Sequence, residues 1–314
     1  MRYYFAPMEG ITDSIYRRIH HKYFPGLDRY YMPFLSPTMH RTLTHKESRE
    51  LPMAETESFV AIPQILTKVA EDFLWAAQVC QERGYEEVNL NVGCPSGTVV
   101  AKGKGAGMLR SPAELDAFLD RVFAKSPISI SVKTRLGMES PEEFPALLEI
   151  FNRYPIKELT IHPRVRKQFY SGCVDIEVFR CAAEHSKNPL CYNGNLNSTG
   201  DIAAFSAQFP KMEAVMLGRG LIGDPGMLTP GGTAKERLQA FCDELLEEYM
   251  AAFGGARNAM FRMKENWSFL HHRFADSEKL WKHLRKTTDV NEYRAITAEI
   301  FATLPLADKL QADW

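Results

Sequence analysis

The sequence predicts an α/β fold, a (β/α)8 TIM barrel followed by a small C-terminal helical bundle domain. Eight short apolar or β-branched runs alternate with helical patterns over roughly 230 residues, which is the count and length of such a barrel. Polar and glycine-rich motifs follow one predicted strand after another, and the chain beyond residue 233 has helical patterns without a strand pattern. An open doubly wound sheet is the alternative architecture.

Apolar runs and helix-start residues define the elements of the barrel. The strands are predicted at 2–6, 29–34, 58–65, 86–91, 128–133, 157–162, 189–193 and 213–218. The connecting helices are predicted at 68–83, 111–125, 140–153, 174–186 and 198–208. Two of these helices begin at Ser-Pro pairs, Ser111-Pro112 and Ser140-Pro141, each followed by a glutamate in the first turn.

A cluster of helix and strand breakers, TPGGT at 229–233, predicts a domain boundary. We therefore expect a barrel domain at 1–232 and a helical domain at 233–314. The helices of the second domain are predicted at 234–253, 256–274, 277–287 and 290–303.

The composition limits the class of protein. The chain is 45% hydrophobic and 25% charged with a net charge of −1, which is typical of a globular protein and argues against a uniformly basic surface. No apolar run approaches the roughly 20 residues of a membrane helix, and the N-terminus lacks an apolar signal segment. The six cysteines form no CxxC pair, which indicates a reducing compartment. We expect a cytoplasmic monomer with no membrane contact and no bound metal.

The carboxyl ends of the predicted strands carry the candidate active site, because these ends converge on one rim of a barrel. A lone lysine or histidine at a strand end is usually structural, but seven motifs at seven strand ends favour a shared site. The motifs are APMEG (6–10), Gln64, NVGCP (91–95), KTR (133–135), HPR (162–164), NGN (193–195) and GRG (218–220).

Several of these residues suit a phosphorylated flavin. Gly194 and Gly218 allow close approach of backbone N–H groups to an anion where barrels usually hold a phosphate, and Arg219 adds a planar donor. An ammonium at Lys133 near the barrel axis suits a ring that becomes negative on reduction. Gln64 and Asn91 can supply amide hydrogen bonds to such a ring.

Cys94 lies in a Gly-Cys-Pro turn at the catalytic end of the predicted barrel. A thiol with the ordinary pKa near ~8.5 is mostly protonated at neutral pH and can act as a general acid. The glycine-rich stretch KGKGAG at 102–107 lacks the Gly-Lys-[Ser/Thr] order of a phosphate-binding P-loop. It predicts a mobile loop that closes over a substrate.

The sequence resembles the tRNA-dihydrouridine synthases, flavin enzymes that reduce uridine in tRNA. The resemblance extends over the whole barrel and into the helical domain. The matching stretches are APMEGITDS (6–14), IPQIL around Gln64, NLNVGCPSGTVVAKGKGAGMLR (89–110), SVKTRLG (131–137), TIHPRVRKQFYSG (160–172), CYNGNLNST (191–199), VMLGRGLIGDP (215–225) and MKENWSFLHHRF (263–274).

The resemblance implies roles for individual residues. Cys94 is implied to be the catalytic acid, which protonates C5 of the uracil after hydride reaches C6. The implied FMN contacts are Pro7, Met8, Glu9, Gln64, Lys133, His162, Asn193, Gly194, Asn195, Gly218 and Arg219. The candidates to bind the uracil or a nearby phosphate are Asn91, Lys133, Arg135, His162 and Arg164. NADPH is expected as a transient reductant, because no second dinucleotide fingerprint is present.

A basic segment predicts the tRNA-binding surface. Between Arg257 and Lys286 there are eight Lys or Arg residues against three Asp or Glu. Together with a barrel that must admit an extruded base, this excess favours an RNA-binding face. The residues assigned to it are Lys279, Lys282, Arg285 and Lys286.

Two residues depart from the family pattern, and two other functions remain open. Pro163 stands where the family usually has glycine, and Asn195 stands where an acidic residue is common.

One alternative function is that of a flavin barrel that reduces a small molecule of the dihydroorotate or enoate type. The other is a catalytically silent RNA-binding protein.

Overall fold

One sheet of nine parallel strands forms the centre of the fold in the computed structural model, which describes residues 1–312. The strands are β1 (Arg2–Phe5), β2 (Arg29–Tyr31), β3 (Ala61–Ile62), β4 (Gln64–Ile65), β5 (Glu87–Val92), β6 (Ser129–Arg135), β7 (Leu159–His162), β8 (Leu190–Tyr192) and β9 (Ala214–Leu217). Their order in the sheet is β3-β2-β1-β9-β8-β7-β6-β5-β4.

The sheet closes on itself through the short segment that holds β3 and β4. The two strands are separated only by Pro63, which has no N–H and therefore interrupts the ladder. The Met32 N–H donates to the Ile62 carbonyl at 2.9 Å, and the Asn89 N–H donates to the Pro63 carbonyl at 2.8 Å. The segment thus pairs with β2 on one side and β5 on the other. The predicted eight-stranded barrel is confirmed, and the strand predicted at 58–65 is shorter and split.

The interior of the barrel is packed with side chains from alternate strand positions, as the fold requires. At the amino-terminal end, the buried carboxylate of Glu158 accepts a hydrogen bond from Tyr4 Oη at 3.0 Å, and Arg29 pairs with Glu87 at 3.3 Å. A cluster of buried, mostly apolar residues packs next to them. It consists of Tyr4, Ala6, Tyr31, Ile62, Cys191, Ala214 and Met216.

Thirteen helices lie within residues 1–312. They are α1 (Ser14–Tyr23), α2 (His45–Glu50), α3 (Ala70–Glu82), α4 (Gly97–Val100), α5 (Pro112–Lys125), α6 (Phe144–Phe151), α7 (Ile176–His185), α8 (Thr199–Gln208), α9 (Arg219–Gly223), α10 (Lys235–Phe253), α11 (Ala256–Leu270), α12 (Glu278–Lys286) and α13 (Val290–Thr303). The nine predicted helices are all present.

The helix α1 is missing from the sequence prediction, although its start signal is present. The side chain of Asp13 accepts a hydrogen bond from the Tyr16 N–H, as an N-cap residue does. The prediction at 140–153 is also too long at its start, because Pro141–Glu143 forms a 3₁₀ turn before α6. Similarly, α11 ends at Leu270 and a 3₁₀ turn follows it.

The chain packs into two compact units. The first consists of Met1–Pro7, Asp28–Gly194 and Lys211–Met216 and contains nearly the whole sheet. The second consists of Met8–Leu27, Asn195–Pro210 and the described residues from Leu217 onward, so it contains α1 together with the C-terminal helices. The proposed boundary of independent domains between residues 232 and 233 stays a prediction.

Neither a membrane span nor a metal centre is found in the described part of the chain. No helix within residues 1–312 combines the length and hydropathy that crossing a bilayer requires. In the same residues, no group of three or more His, Cys, Asp or Glu side chains is arranged to hold a metal ion.

A buried histidine, His20, lies in the second unit and is expected to make the stability of the protein depend on pH. His20 on α1 packs edge-on against the ring of Phe241 from α10, and its Nε2 lies 3.1 Å from the carbonyl oxygen of Pro225. Because a carbonyl only accepts, Nε2 carries the proton of the neutral ring. Burial lowers the pKa of His20 to about 3.

We predict that acidification from pH 7 to pH 5 lowers the free energy of unfolding through His20. Below the unfolded-state pKa of about 6.5, His20 is protonated in the unfolded chain but stays neutral in the native protein. The free energy of unfolding therefore falls by up to about 1.4 kcal/mol for each pH unit. Burial also lowers the pKa of His271 to about 4, so that residue adds to the same window. Urea unfolding at several pH values measures the slope.

His20→Gln keeps an N–H donor for Pro225 but does not titrate. Its free energy of unfolding should therefore depend less steeply on pH than that of the wild type, by up to the contribution of one bound proton. The matched control is His45→Gln, since His45 is exposed. Equal slopes for His20→Gln and the wild type would contradict the assignment.

Candidate active site

The loop that carries Cys94 is fixed by one side chain of the preceding strand. Oδ1 of Asn91, on β5, accepts hydrogen bonds from the backbone N–H of Gly93 at 3.0 Å and of Cys94 at 2.8 Å. This is the local turn that asparagine side chains commonly stabilise. Asn91 is buried and Cys94 is half-buried, so the thiol lies on a loop anchored to the inside of the barrel.

A continuous chain of buried hydrogen bonds extends from Asn91 across three strands. Asn91 Nδ2 donates to Gln64 Oε1 at 2.8 Å, and Gln64 Nε2 donates to Asn89 Oδ1 at 2.8 Å. Asn89 Nδ2 then donates to Ser131 Oγ at 2.9 Å. We refer to Ser131, Asn89, Gln64 and Asn91 as the amide chain. Each hydrogen bond fixes which way an amide points, and Gln64 and Asn91 each retain one N–H that the amide chain does not use.

The sequence analysis did not identify Asn89 and Ser131. The available signal was the period of two along a strand, because Asn89 precedes Asn91 by two positions on β5 and Ser131 precedes Lys133 by two on β6. Register then brings them together, since Asn89 is paired with Ser131 and with Gln64 in the sheet.

Lys133 places an uncompensated positive charge beside the amide chain. It is paired in register with Asn91 and is half-buried. Within residues 1–312 its ammonium makes no hydrogen bond or ion pair. Burial, followed by repulsion from Arg135, lowers the pKa of Lys133 to about 8. The group is therefore mostly charged at neutral pH, and an anionic ligand would stabilise that charge.

Arg135 connects the Cys94 loop to the loop after β7. Its guanidinium is buried, and Nε donates to the Gly93 carbonyl at 3.0 Å while Nη1 donates to the Val165 carbonyl at 3.1 Å. The same guanidinium lies 5.2 Å from the ring centroid of Tyr170. Burial lowers its pKa to about 10, so it stays charged at neutral pH.

Arg164 fixes both the loop after β7 and the tautomer of His162. Arg164 Nη1 donates to His162 Nε2 at 2.9 Å. Because a guanidinium cannot accept, the neutral imidazole carries its hydrogen on Nδ1. Arg164 Nε and Nη2 also donate to the Gly172 carbonyl, at 3.2 and 2.6 Å. Arg135 and Arg164 thus both donate to backbone carbonyls of the loops. Their assignment to substrate binding stays a prediction.

The glycine-rich stretch predicted as a mobile loop at 102–107 is not open along its whole length, and the prediction is wrong for residues 105–107. These residues are buried in the 3₁₀ helix Gly105–Arg110. The Ala106 N–H donates to the Cys94 carbonyl at 3.0 Å. A Cβ at Gly105 would lie 2.9 Å from the same oxygen, and Gly105 has φ of +57°. The glycine therefore serves close packing against the Cys94 loop rather than movement.

Within the second unit, the loop of Met8 and Glu9 is held by the C-terminal helices. The Met8 carbonyl accepts from the Thr12 N–H at 3.0 Å, and Glu9 is exposed. Arg262 on α11 donates to the Gly10 carbonyl and pairs with the Asp13 carboxylate at 3.6 Å. Sequence reasoning did not identify Arg262. Pro7, which precedes this loop, ends the first segment of the other unit.

The remaining predicted cofactor residues follow β8 and β9. Asn193 Nδ2 donates to the Met216 carbonyl at 2.8 Å, and a Cβ at Gly194 would lie 2.9 Å from Val174 Cγ1, so a side chain there would require that residue to shift. Asn195 has φ of 45°, and its Oδ1 accepts a long hydrogen bond of 3.5 Å from Arg219 Nη2. Gly218 directly precedes Arg219 at the start of α9.

The basic side chains predicted to bind RNA lie exposed on α12. Leu284 is the buried residue of this helix. None of the four forms an ion pair with a carboxylate in the part of the chain that the structure describes. They are Lys279, Lys282, Arg285 and Lys286.

Solved structures support the architecture. A 2-naphthoyl-CoA reductase in complex with 2-naphthoyl-CoA is 10% identical, with a TM-score of 0.57 over 73% of this chain and 49% of that one. Morphinone reductase is 14% identical, with a TM-score of 0.51 over 74% of this chain and 86% of that one. Identities this low show a shared fold alone.

Sequence relatives identify the family. The tRNA-dihydrouridine synthase B of Pasteurella multocida is 29% identical over 226 residues, 71% of this chain and 67% of the relative. A probable tRNA-dihydrouridine synthase of Rhizobium leguminosarum bv. phaseoli is 27% identical over 286 residues, 86% of this chain and 85% of the relative. The dihydrouridine synthase family model matches residues 4–311, nearly the whole length. The chain therefore belongs to the dihydrouridine synthase family.

Proposed function

We propose that this protein reduces specific uridines in tRNA to dihydrouridine, with FMN as its flavin, NADPH as the reductant and Cys94 as the proton donor. The family to which the chain belongs uses a flavin. The observation that carries the proposal is the amide chain, which links the Cys94 loop to the neighbourhood of the unpaired Lys133 ammonium. A monomeric state and a cytoplasmic location are parts of the same proposal.

The residues present fit the FMN ring. Lys133 offers a positive charge that has no counter-ion among residues 1–312, and Gln64 retains one amide N–H. These are the groups that the N1 and C2-carbonyl edge of a flavin requires. When bound, the flavin would supply the hydride that reduces C6 of the uracil. The other proposed contacts to FMN are Pro7, Met8, Glu9, His162, Asn193, Gly194, Asn195, Gly218 and Arg219.

The protein contributes the proton and its placement. Cys94 would protonate C5 of the uracil, and Asn91 holds the backbone of that loop in one position. The positive charges of Lys133 and Arg135 act on Cys94, so they would stabilise the thiolate that remains after proton transfer. The base must leave its stack to enter the barrel. A neutral His162 would offer Nδ1–H as a further donor, since Arg164 occupies Nε2.

We predict that Cys94→Ala separates the two half-reactions. Flavin reduction by NADPH needs no proton from a thiol and should keep a near-normal rate. Reoxidation by tRNA should slow by roughly 10²- to 10⁴-fold, because general acid catalysis contributes about that much. Stopped-flow absorbance without oxygen measures both steps, and mass analysis of the tRNA at one early time point should find far less dihydrouridine with Cys94→Ala than with the wild type.

Cys94→Ser should restore little of the rate, because a hydroxyl is far less acidic than a thiol. A near-normal reoxidation rate in Cys94→Ala would end the role of Cys94 as the acid. Equal activity of the wild type on free uridine and on tRNA would favour the small-molecule reductase instead.

We predict that the purified protein carries non-covalent FMN and that two variants affect it differently. Lys133→Met should lower the flavin midpoint potential by about 30 mV or more, equal to ~1.4 kcal/mol for two electrons, because a cation near the ring favours the reduced anion. Arg219→Ala should weaken FMN retention and leave the potential nearly unchanged. Spectroelectrochemistry and heat release of the cofactor measure these effects. Release of FAD, or of no flavin, would contradict the proposal.

We predict that Lys279→Glu with Lys282→Glu weakens tRNA binding and flattens its salt dependence. The log–log slope should fall by roughly one unit for each phosphate that the protein no longer neutralises. NADPH oxidation without tRNA should not change. Filter binding across a salt series measures the slope.

The matched control is Lys125→Glu with Lys211→Glu, which makes the same charge change at exposed positions just before β6 and β9, at the amino-terminal end of the barrel. Equal reductions of affinity in the two double variants would remove α12 from the binding surface.

A further inference from the structure

We propose that the loop Arg166–Tyr170, which we call the aromatic loop, is a stacking platform for unpaired nucleotides that flank the target uridine. The inference rests on the proposed function and extends it to a second contact with the RNA. The aromatic loop was not among the residues that the sequence analysis assigned to RNA, although it begins two residues after Arg164.

Two neighbouring aromatic rings of this loop are exposed. Phe169 is 41% exposed and Tyr170 is 46% exposed. Within residues 1–312 they are the only adjacent pair among the exposed large hydrophobic residues. Two adjacent rings left in water mark a surface that a partner can cover, and nucleobases stack on exposed aromatic rings without regard to sequence.

Tyr170 attaches the aromatic loop to the candidate active site. Its ring stacks on His162 with centroids 6.2 Å apart and an angle of 29° between the planes. The guanidinium of Arg135 lies 5.2 Å from the centroid of the same ring. A base that covers Phe169 would therefore lie beside the residues proposed to receive the extruded uracil.

The charge of the aromatic loop suits a phosphate. The Arg166 guanidinium lies 5.0 Å from the ring centroid of Phe169. Within the described residues no carboxylate pairs with it, and its buried Nε has no hydrogen-bond partner. The ammonium of Lys167 is exposed, 3.9 Å from the equally exposed carboxylate of Glu139. A cation stacked on an exposed ring is the combination found where a single strand is held by its bases and its backbone.

The backbone at Phe169 supports a role for its ring. Its φ of 50° with ψ of −102° lies in a region that side chains rarely adopt and that favours glycine. The surrounding loop enforces this conformation, because Arg164 holds the Gly172 carbonyl and Gln168 Oε1 accepts from the Val165 N–H at 2.8 Å. Glycine would relieve this strain, so Phe169→Gly can remove the ring without straining the backbone.

The test compares Phe169→Gly with Phe169→Trp in the oxidised FMN-loaded enzyme, with an unmodified tRNA transcript as the probe. Phe169→Gly should raise Kd for the transcript roughly 5- to 150-fold, the range for removal of one stacked base. Its thermal stability should be equal to or above that of the wild type. Phe169→Trp should restore binding, and the transcript should quench the emission of the added tryptophan.

Salt dependence distinguishes stacking from charge. Phe169→Gly should weaken binding equally at all salt concentrations, whereas Arg166→Gln should reduce the log–log slope by roughly one unit. The reoxidation rate at saturating tRNA should be unchanged in Phe169→Gly. The matched control is Val60→Ala, since Val60 is 54% exposed just before β3 at the opposite end of the barrel.

An unchanged Kd in Phe169→Gly, or a drop in thermal stability that accounts for the weaker binding, would overturn the platform. A defect in reoxidation at saturating tRNA with normal Kd would overturn it as well. If the wild type binds the transcript but never reduces it, the proposed function fails, while the binding comparison still decides the role of the aromatic loop.

Discussion

The requirement that buried amides find partners organises this protein. The amide chain joins three neighbouring strands through buried polar groups that satisfy one another, from Ser131 on β6 to Asn91 on β5. The last member, Asn91, accepts a hydrogen bond from the backbone N–H of Cys94 with its Oδ1. Removing one link would leave a buried amide unsatisfied, at a cost of about 1–3 kcal/mol. The position of the thiol therefore depends on side chains of two other strands.

The basic side chains of the first unit fall into two groups, those that donate to backbone carbonyls and those that lack such partners. Arg135 and Arg164 direct guanidinium donors at backbone carbonyls and hold the two loops at the carboxyl end of the barrel. Lys133 and Arg166 lack such partners in the described chain. The difference is one of partners and not of residue type, because the guanidiniums of Arg135 and Arg164 donate to backbone carbonyls while, among residues 1–312, that of Arg166 does not. Lys133 and Arg166 are therefore the charges that we propose to receive an anion.

Within the second unit, the C-terminal helices hold a loop from the beginning of the chain. Through Arg262, α11 contacts both the Gly10 carbonyl and the Asp13 carboxylate, and Tyr249 on α10 donates to Asp13 at 3.0 Å. The loop proposed to meet the flavin is thus fixed by helices that the sequence analysis assigned to RNA alone. The helix α12 differs from α10 and α11, because its basic residues are exposed around one buried leucine and do not hold that loop.

The sequence by itself determined the barrel, the cysteine loop and the basic helix, because strand alternation, glycine motifs and charge density are local properties of the chain. It did not determine the partners of Asn89, since that residue meets Gln64 and Ser131 only once register and ring closure bring three strands together. It also indicated a mobile loop at residues 102–107, where packing against the Cys94 loop buries Gly105 and Gly107. Composition cannot distinguish a glycine that moves from one that lets two backbones touch; only the tertiary contact decides.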